Sequence, residues 1–171
     1  HLDELRQDLM EADCYLPFTR REMSPLTARA TLSGPSDDVE VLRNGHDRPI
    51  GDDDNGYHCP LDSAIEYTFD RPEEVATARL VFDSDLNREA MNMPCAVPLE
   101  RELACPPGSL VKSFAIEVRS GEEPWQCVAA VDENHQRLVE IELDVEATHV
   151  RCVLRETWSA PLARLLGFDV R

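Results

Sequence analysis

The sequence has few basic residues and few aromatic residues. Its 171 residues include 17 Lys and Arg against 34 Asp and Glu, a formal net charge of −17, and 6% are aromatic. Nucleic acids and anionic membrane surfaces both attract proteins through basic faces. The composition therefore argues against a nucleic-acid partner and against a membrane partner, and it limits any aromatic binding platform to a small one.

Several motifs of catalysis and cofactor binding are also missing. There is no apolar run of about 18 residues, no Cys-x-x-Cys pair, no Gly-x-Gly-x-x-Gly fingerprint and no recognisable nucleophile with a histidine base. We therefore predict no catalytic residue in this chain. The cysteines fit neither a compact disulfide framework nor a zinc motif, so we expect most to be reduced, as in a cytoplasmic protein. They are residues 14, 59, 95, 105, 127 and 152.

The N-terminal residues form a pattern of their own. The chain begins with His1 rather than Met, so we expect it to be a piece of a longer protein. Leu2, Leu5 and Leu9 recur at spacings of three and four, which predicts an amphipathic helix over residues 2–13. We therefore expect a helix and linker over residues 1–27 and a separate folded unit over residues 28–171.

The larger unit has the alternating pattern of β-strands. Val150, Cys152 and Leu154 alternate with polar or solvent-facing neighbours, and a second apolar strand, Ala163–Val170, almost closes the chain. We predict about eight strands, among them strands over 28–33, 125–131 and 138–143. Turns separate the strands, including turns at 70–74, 120–124 and 132–135. One helical turn at 39–42 precedes a loop over 43–57, and a long connection spans 86–107. This order predicts an all-β sandwich or jelly roll.

Four stretches carry a resemblance to a known family. They are Ala30–Ser33, Leu42–Asp47, the strand pair Ile65–Pro72 with Val75–Phe82, and the closing residues from Thr148 to Val170 with Trp158 between the strands. In this order they resemble the discoidin family, also called the galactose-binding-like or coagulation-factor type C sandwich. The resemblance covers residues 28–171. It implies a jelly-roll or discoidin-like β-sandwich that follows one short N-terminal α-helix.

The N-terminal segment carries a second resemblance. His1–Leu16 is similar to the helix that closes the catalytic region of bacterial FAD-dependent oxidoreductases. This implies that the sandwich is a non-catalytic accessory domain, acting in docking or substrate access, with a preceding flavin domain as its partner. FAD would then bind only in that preceding domain, because the dinucleotide fingerprint is absent from this chain.

Two alternatives remain beside the accessory-domain hypothesis. One is a carbohydrate-binding module, because sugar-binding relatives of the discoidin family use aromatic, Arg and His side chains on the loops at one end of the sandwich. Aromatic faces stack on pyranose rings, and guanidinium groups bind hydroxyls. The other alternative is a structural protein-interaction domain. The loop residues that could bind a sugar are His46, Arg48, Tyr57, His58 and Trp158.

An acidic loop raises the question of a metal ion. Calcium prefers six to eight oxygen ligands, and carboxylates crowd this loop. The discoidin resemblance implies a structural calcium beside an Asp-Gly-Asp segment, but the corresponding residues are Asn44-Gly45-His46-Asp47, which lack the first carboxylate. Both a calcium site and a solvated acidic loop stay open. The candidate ligands are Asp47, Asp52, Asp53, Asp54 and Asn55.

Overall fold

The computed structural model describes residues 20–50, 52–85 and 106–171. The predicted helix over residues 2–13 and most of the connection over 86–107 lie outside these residues. None of the helices in the described part of the chain is long and apolar enough to cross a membrane. The described elements are α1 (Pro25–Arg29), β1 (Thr31–Ser33), a 3-10 helix (Asp37–Arg43), β2 (Tyr57–Pro60), β3 (Ser63–Phe82), β4 (Val111–Arg119), β5 (Gln126–Val131), β6 (Leu138–Thr157) and β7 (Leu162–Val170).

The strands pair in one continuous sheet in the order β2-β7-β3-β6-β4-β5, with β1 beside β3. The two long strands, β3 and β6, contribute to both of the layers into which this sheet folds. The first half of β3 pairs with β1 and with the second half of β6, which continues to β4 and β5. The second half of β3 pairs with the first half of β6 and with β7, which continues to β2. All these pairings are antiparallel. We call the first set the β4 sheet and the second the β7 sheet.

Irregular positions in β3 and β6 explain how one strand serves both sheets. The β3–β6 register shifts between Thr68 and Glu73, and Asp144 in β6 has a positive φ of 47°. Bulges of this kind bend a strand and increase its twist. The turn predicted at 70–74 is therefore wrong, because those residues lie within β3. The predicted strand over 138–143 and the strand that follows it are likewise one element, β6.

The start of the sandwich also differs from the prediction. Residues 28–33 were expected to form a strand, but α1 occupies Pro25–Arg29 and only Thr31–Ser33 are extended. Ser24 caps the helix by accepting a hydrogen bond from the Thr27 amide at 3.0 Å, and Pro25 begins it. A serine N-cap followed by proline at the first helical position is a strong helix-start signal, and it outweighs the β propensity of this short run.

The core lies between the two sheets and is built from the alternating apolar positions of their strands. Tyr67 from the β4 sheet packs on Phe168 from the β7 sheet, with ring centroids 5.0 Å apart. Phe82 and Phe114 make a second contact between the sheets at 5.0 Å. The Tyr67 hydroxyl donates to the Phe168 carbonyl at 2.7 Å. The predicted all-β sandwich is therefore confirmed.

A charged network covers the outer side of β7. Asp169 is fully buried and accepts hydrogen bonds from Arg21 at 2.8 Å and from the Ser24 amide at 3.2 Å. Arg79, the partner of Asp169 in β3, binds Asp47 with contacts of 2.7 and 3.2 Å. These ion pairs fix residues 20–24 and the loop after the 3-10 helix against the β7 sheet.

The buried cysteines lead to a prediction about thiol reactivity. The described cysteines are free thiols: Cys59 and Cys152 are buried, and Cys127 is exposed. Burial raises the pKa of the Cys59 thiol to about 11, despite a hydrogen bond from Ser63, and it also raises the pKa of Cys152. Because the thiolate is the reactive form, N-ethylmaleimide should modify Cys127 in the native protein and the other two only after unfolding. Peptide mass spectrometry measures this order, and equal labelling of Cys152 and Cys127 would contradict it.

Candidate functional site

A polar cleft lies on the side of β2 and β7 that faces away from the core. Its volume is about 310 Å³. The side chains around it come from β2 and β7, from the residues that follow β3, from the loop before β2 and from the residue that precedes β6. They are Pro49, Asp54, His58, Asp83, Asp85, Arg137, Arg164 and Leu166.

Strand alternation places the two central side chains of this cleft together. His58 in β2 is the register partner of Arg164 in β7. Tyr57 and Cys59, on either side of His58, point into the core and are buried. Because side chains alternate along a strand, His58 points outward, where it is exposed. The sheet therefore presents an imidazole and a guanidinium side by side on its outer face.

Two carboxylates hold the Arg164 guanidinium in place. Arg164 pairs with Asp83 at 2.9 Å and also with the Asp54 carboxylate, and it donates to the Asp54 carbonyl at 3.2 Å. Asp83 is buried, and its amide donates to the Arg164 carbonyl at 3.0 Å. Asp85, two residues further on, is exposed and has φ of 55°, and its amide donates to the Asp83 side chain at 3.1 Å. The arginine is thus fixed before any ligand arrives.

This arrangement has the chemistry of a site for hydroxyl groups. Carboxylates accept hydrogen bonds, guanidinium groups donate several in a fixed plane, and neutral imidazole does both. A ligand with neighbouring hydroxyls could bridge Asp85, Arg164 and His58. The described lining contains no aromatic ring besides the imidazole, so hydrogen bonding rather than stacking would provide most of the affinity.

The structure brings one of the five predicted sugar-binding residues into this cleft, namely His58. Tyr57 is placed differently: it is fully buried, and its hydroxyl accepts a hydrogen bond from the Ser36 amide at 3.0 Å. Its ring supports the core and is not available to stack on a ligand. Strand alternation is the reason, since neighbouring residues of β2 cannot both face solvent.

The other three predicted residues lie outside the cleft lining. His46 and Arg48 are half-buried in the loop after the 3-10 helix, where the His46 amide donates to the Asn44 side chain at 2.7 Å. Trp158 donates from its indole nitrogen to the Asn134 carbonyl at 2.9 Å and packs on His135, with ring centroids 4.9 Å apart. Trp158 therefore closes the end of the sandwich beside the β5–β6 turn.

The five predicted calcium ligands do not converge. Asp47 is held by Arg79, and Asp54 is held by Arg164, so both carboxylates already have cationic partners. Asp52 and Asp53 are exposed, and the Asn55 amide group donates to a loop carbonyl at 3.3 Å. Across residues 20–50, 52–85 and 106–171, no group of three or more His, Cys, Asp or Glu side chains could hold a metal ion. These side chains do not fit calcium, whose sites need several carboxylate or carbonyl oxygens around one point.

A glycine explains why the loop takes this path. Gly45 has φ of 84°, a conformation that other residues adopt at a cost, and its carbonyl accepts a hydrogen bond from the Arg21 amide at 2.9 Å. The turn directs Asp47 toward Arg79 and the β7 sheet. The Asn-Gly-His-Asp segment is therefore used here to form ion pairs.

Sequence reasoning missed Asp83, Asp85, Arg137 and Arg164. Arg164 lies within the apolar strand pattern of Ala163–Val170. A single arginine in such a strand indicates a side chain that points away from the core. Asp83 and Asp85 follow directly after an apolar strand. No local pattern shows that the end of β3 lies beside β2 and β7, because that proximity depends on the sheet order.

Comparisons with solved structures agree with this fold. A family 32 carbohydrate-binding module of Streptococcus pneumoniae EndoD matches with a TM-score of 0.60 and 14% identity, covering 90% of this chain and 99% of that one. A fucose-binding module of the same organism matches with a TM-score of 0.60 and 14% identity, covering 87% and 98%. The family 32 module of Clostridium perfringens NanJ, solved with galactose, matches with a TM-score of 0.56 and 9% identity, covering 85% and 95%.

These neighbours define the class of fold. At such low identity they show a shared discoidin-like β-sandwich, which confirms the predicted fold class. No protein-family model matches the chain, and no curated protein sequence matches it. The comparisons lend no support to a flavoprotein parent.

Proposed function

We propose that this chain is a carbohydrate-binding module and that the cleft around His58 and Arg164 holds the sugar. The observation that carries the proposal is the fixed guanidinium of Arg164, which lies between Asp54 and Asp83 beside an exposed imidazole. Solved structures with the same fold include modules that bind galactose and fucose. The cleft has about the volume that a small ligand needs.

The charge of the chain limits the ligand further. A net charge of −17 repels anionic polymers at long range. The cleft contains both hydrogen-bond donors and acceptors. The donors are on Arg137 and Arg164, and the acceptors are the carboxylates of Asp54, Asp83 and Asp85. Paired groups of this kind suit the hydroxyls of an uncharged saccharide, because each hydroxyl can donate and accept at once. The ligand we propose is therefore a neutral monosaccharide or the end of a neutral oligosaccharide.

We expect His58→Ala to weaken sugar binding on the order of tenfold, because it removes an exposed hydrogen-bonding group worth about 1–1.5 kcal/mol. Isothermal titration calorimetry with galactose, N-acetylgalactosamine, fucose and N-acetylglucosamine measures the effect. His58 is exposed, so the variant should fold normally. Arg164→Ala should remove binding at the cleft, provided that its circular dichroism spectrum stays native.

Arg155→Ala is the matched control for the arginine variant. Arg155 is exposed in β6 and does not line the cleft, so its removal changes the net charge equally without touching the site. Unchanged affinity in Arg155→Ala together with weakened affinity in His58→Ala and Arg164→Ala supports the proposal. If all three variants bind sugar as tightly as the unsubstituted protein does, or if no sugar binds the unsubstituted protein, the proposal is wrong.

A further inference from the structure

A tryptophan on the opposite side of the sandwich forms the centre of a second polar surface. Trp125 lies immediately before β5 and is half-buried over the outer face of the β4 sheet. Side chains from three strands surround it, contributed by β3, β4 and β6. We call this group the Trp125 surface, and its members are Glu66, Glu117, Arg119, Trp125, His149 and Arg151.

Two guanidinium groups stack on the indole ring. The Cζ atom of Arg151 lies 3.9 Å from the ring centroid, and that of Arg119 lies 4.5 Å from it. The His149 ring meets the indole edge-on, with centroids 6.1 Å apart. Cation–π contacts of this kind hold the indole in one orientation.

The arginines are themselves fixed by carboxylates. Arg151 binds Glu117, its register partner across β4 and β6, with contacts of 2.5 and 2.8 Å. Arg119 lies 3.6 Å from Glu66, which comes from β3. A half-buried indole on a layer of ion-paired side chains is pre-organised, so a ligand that binds there orders few side chains.

The Trp125 surface is locally neutral although the chain carries a net charge of −17. The charges of its two arginines and two glutamates cancel. Burial, and after it the nearby charge of Arg119, lowers the pKa of His149 despite the opposing effect of Glu66. A cationic ligand would meet arginines already stacked on the indole, and an anionic ligand would find them already paired. An uncharged ligand fits this surface best.

We propose that the Trp125 surface is a second carbohydrate-binding site, which stacks the apolar face of a neutral pyranose on the indole. Sugar rings expose C–H groups on one face and hydroxyls at the rim, so they suit an aromatic platform bordered by charged donors and acceptors. This site shares no residue with the cleft and lies on the outer face of the other sheet. A chain with both sites could join two glycan chains.

The test uses the chain's two tryptophans, Trp125 and Trp158. In a Trp158→Phe variant Trp125 is the only indole, so its fluorescence reports its own environment. Titration with galactose, N-acetylgalactosamine, fucose and N-acetylglucosamine should give a saturable change with at least one sugar. The same titration of Trp125→Phe, which keeps Trp158, should show no change of that kind.

Combination with a cleft variant separates the two sites. In Trp158→Phe with His58→Ala, the Trp125 response should persist with an unchanged midpoint. By calorimetry, Trp125→Ala should lose one of two binding sites or weaken the overall affinity on the order of tenfold, while Trp125→Phe should retain more of it.

The outcomes that overturn the proposal are distinct. If calorimetry detects cleft binding while the Trp125 fluorescence does not change, the second site is absent and the cleft is unaffected. A Trp125 response that disappears with His58→Ala would show a remote effect of the cleft and would also overturn it. If neither fluorescence nor calorimetry detects any sugar, both sites are rejected.

Discussion

Phe168→Ala is expected to lower the free energy of unfolding by about 3–5 kcal/mol, the usual cost of truncating a buried aromatic residue to alanine. Phe168 is fully buried in β7 and packs on Tyr67 at a centroid distance of 5.0 Å. Phe168 lies at the contact between the two sheets. Its truncation would leave a cavity there, because neither sheet can shift to fill the space without breaking hydrogen bonds between its strands. Urea unfolding followed by circular dichroism gives the value.

Leu162→Ala on the same strand is the control. Leu162 is 47% exposed, so its truncation should change the free energy of unfolding by less than about 0.5 kcal/mol. A similar, small effect of both substitutions would contradict the position of the core between the two sheets. A large effect of Leu162→Ala alone would mean that β7 has the opposite face inward.

Asp169→Ala should be the second strongly destabilising substitution, at about 2–3 kcal/mol, because it removes a buried carboxylate that accepts several hydrogen bonds and leaves its donors with fewer partners. The Asp169 side chain has no solvent exposure, and Arg21 pairs with it at 2.8 Å. The Ser24 amide and Arg171 also donate to it, at 3.2 and 3.1 Å. Asp70→Ala, which removes an exposed carboxylate, should be nearly neutral.

The same carboxyl gives the stability a defined dependence on pH. Burial alone would raise the pKa of Asp169, but hydrogen bonds from Thr27, Ser24, Arg171 and Arg21 outweigh it and hold the pKa below its usual value. A group with a lowered pKa in the folded state stabilises the protein above its unfolded pKa, about 3.9. That stability is lost as the pH falls from there through the folded pKa. Asp169→Asn should therefore flatten the acid limb of the stability curve, and an unchanged acid limb would contradict the assignment.

The sheet architecture was partly predictable from local patterns. The alternation of Val150, Cys152 and Leu154 identified the inward face of β6 correctly, because a period of two is a direct consequence of strand geometry. The turn expected near residues 70–74 was wrong, because Pro72 and its charged neighbours resemble a turn in sequence. In the structure they form an exposed bend inside β3, where a strand passes between sheets.

The candidate sites depended on information that no local pattern carries. His58 was identified as a loop residue with suitable chemistry, and it reaches the cleft because β2 pairs with β7. Arg164 and Asp83 meet there because β7 also pairs with the end of β3. Trp125 was assigned only to a strand, since its arginine partners come from β4 and β6, at separations that sequence patterns do not reveal.

The most direct test of the carbohydrate-binding proposal is to locate the bound sugar on the chain. Two-dimensional ¹H–¹⁵N NMR of labelled Trp125→Ala protein, titrated with the best sugar of the panel, reports every backbone amide while the second surface is disabled. The proposal predicts saturable shifts concentrated at His58, Asp85, Arg164 and Leu166. Shifts confined to amides outside the cleft, or no shifts at saturating sugar, would contradict it.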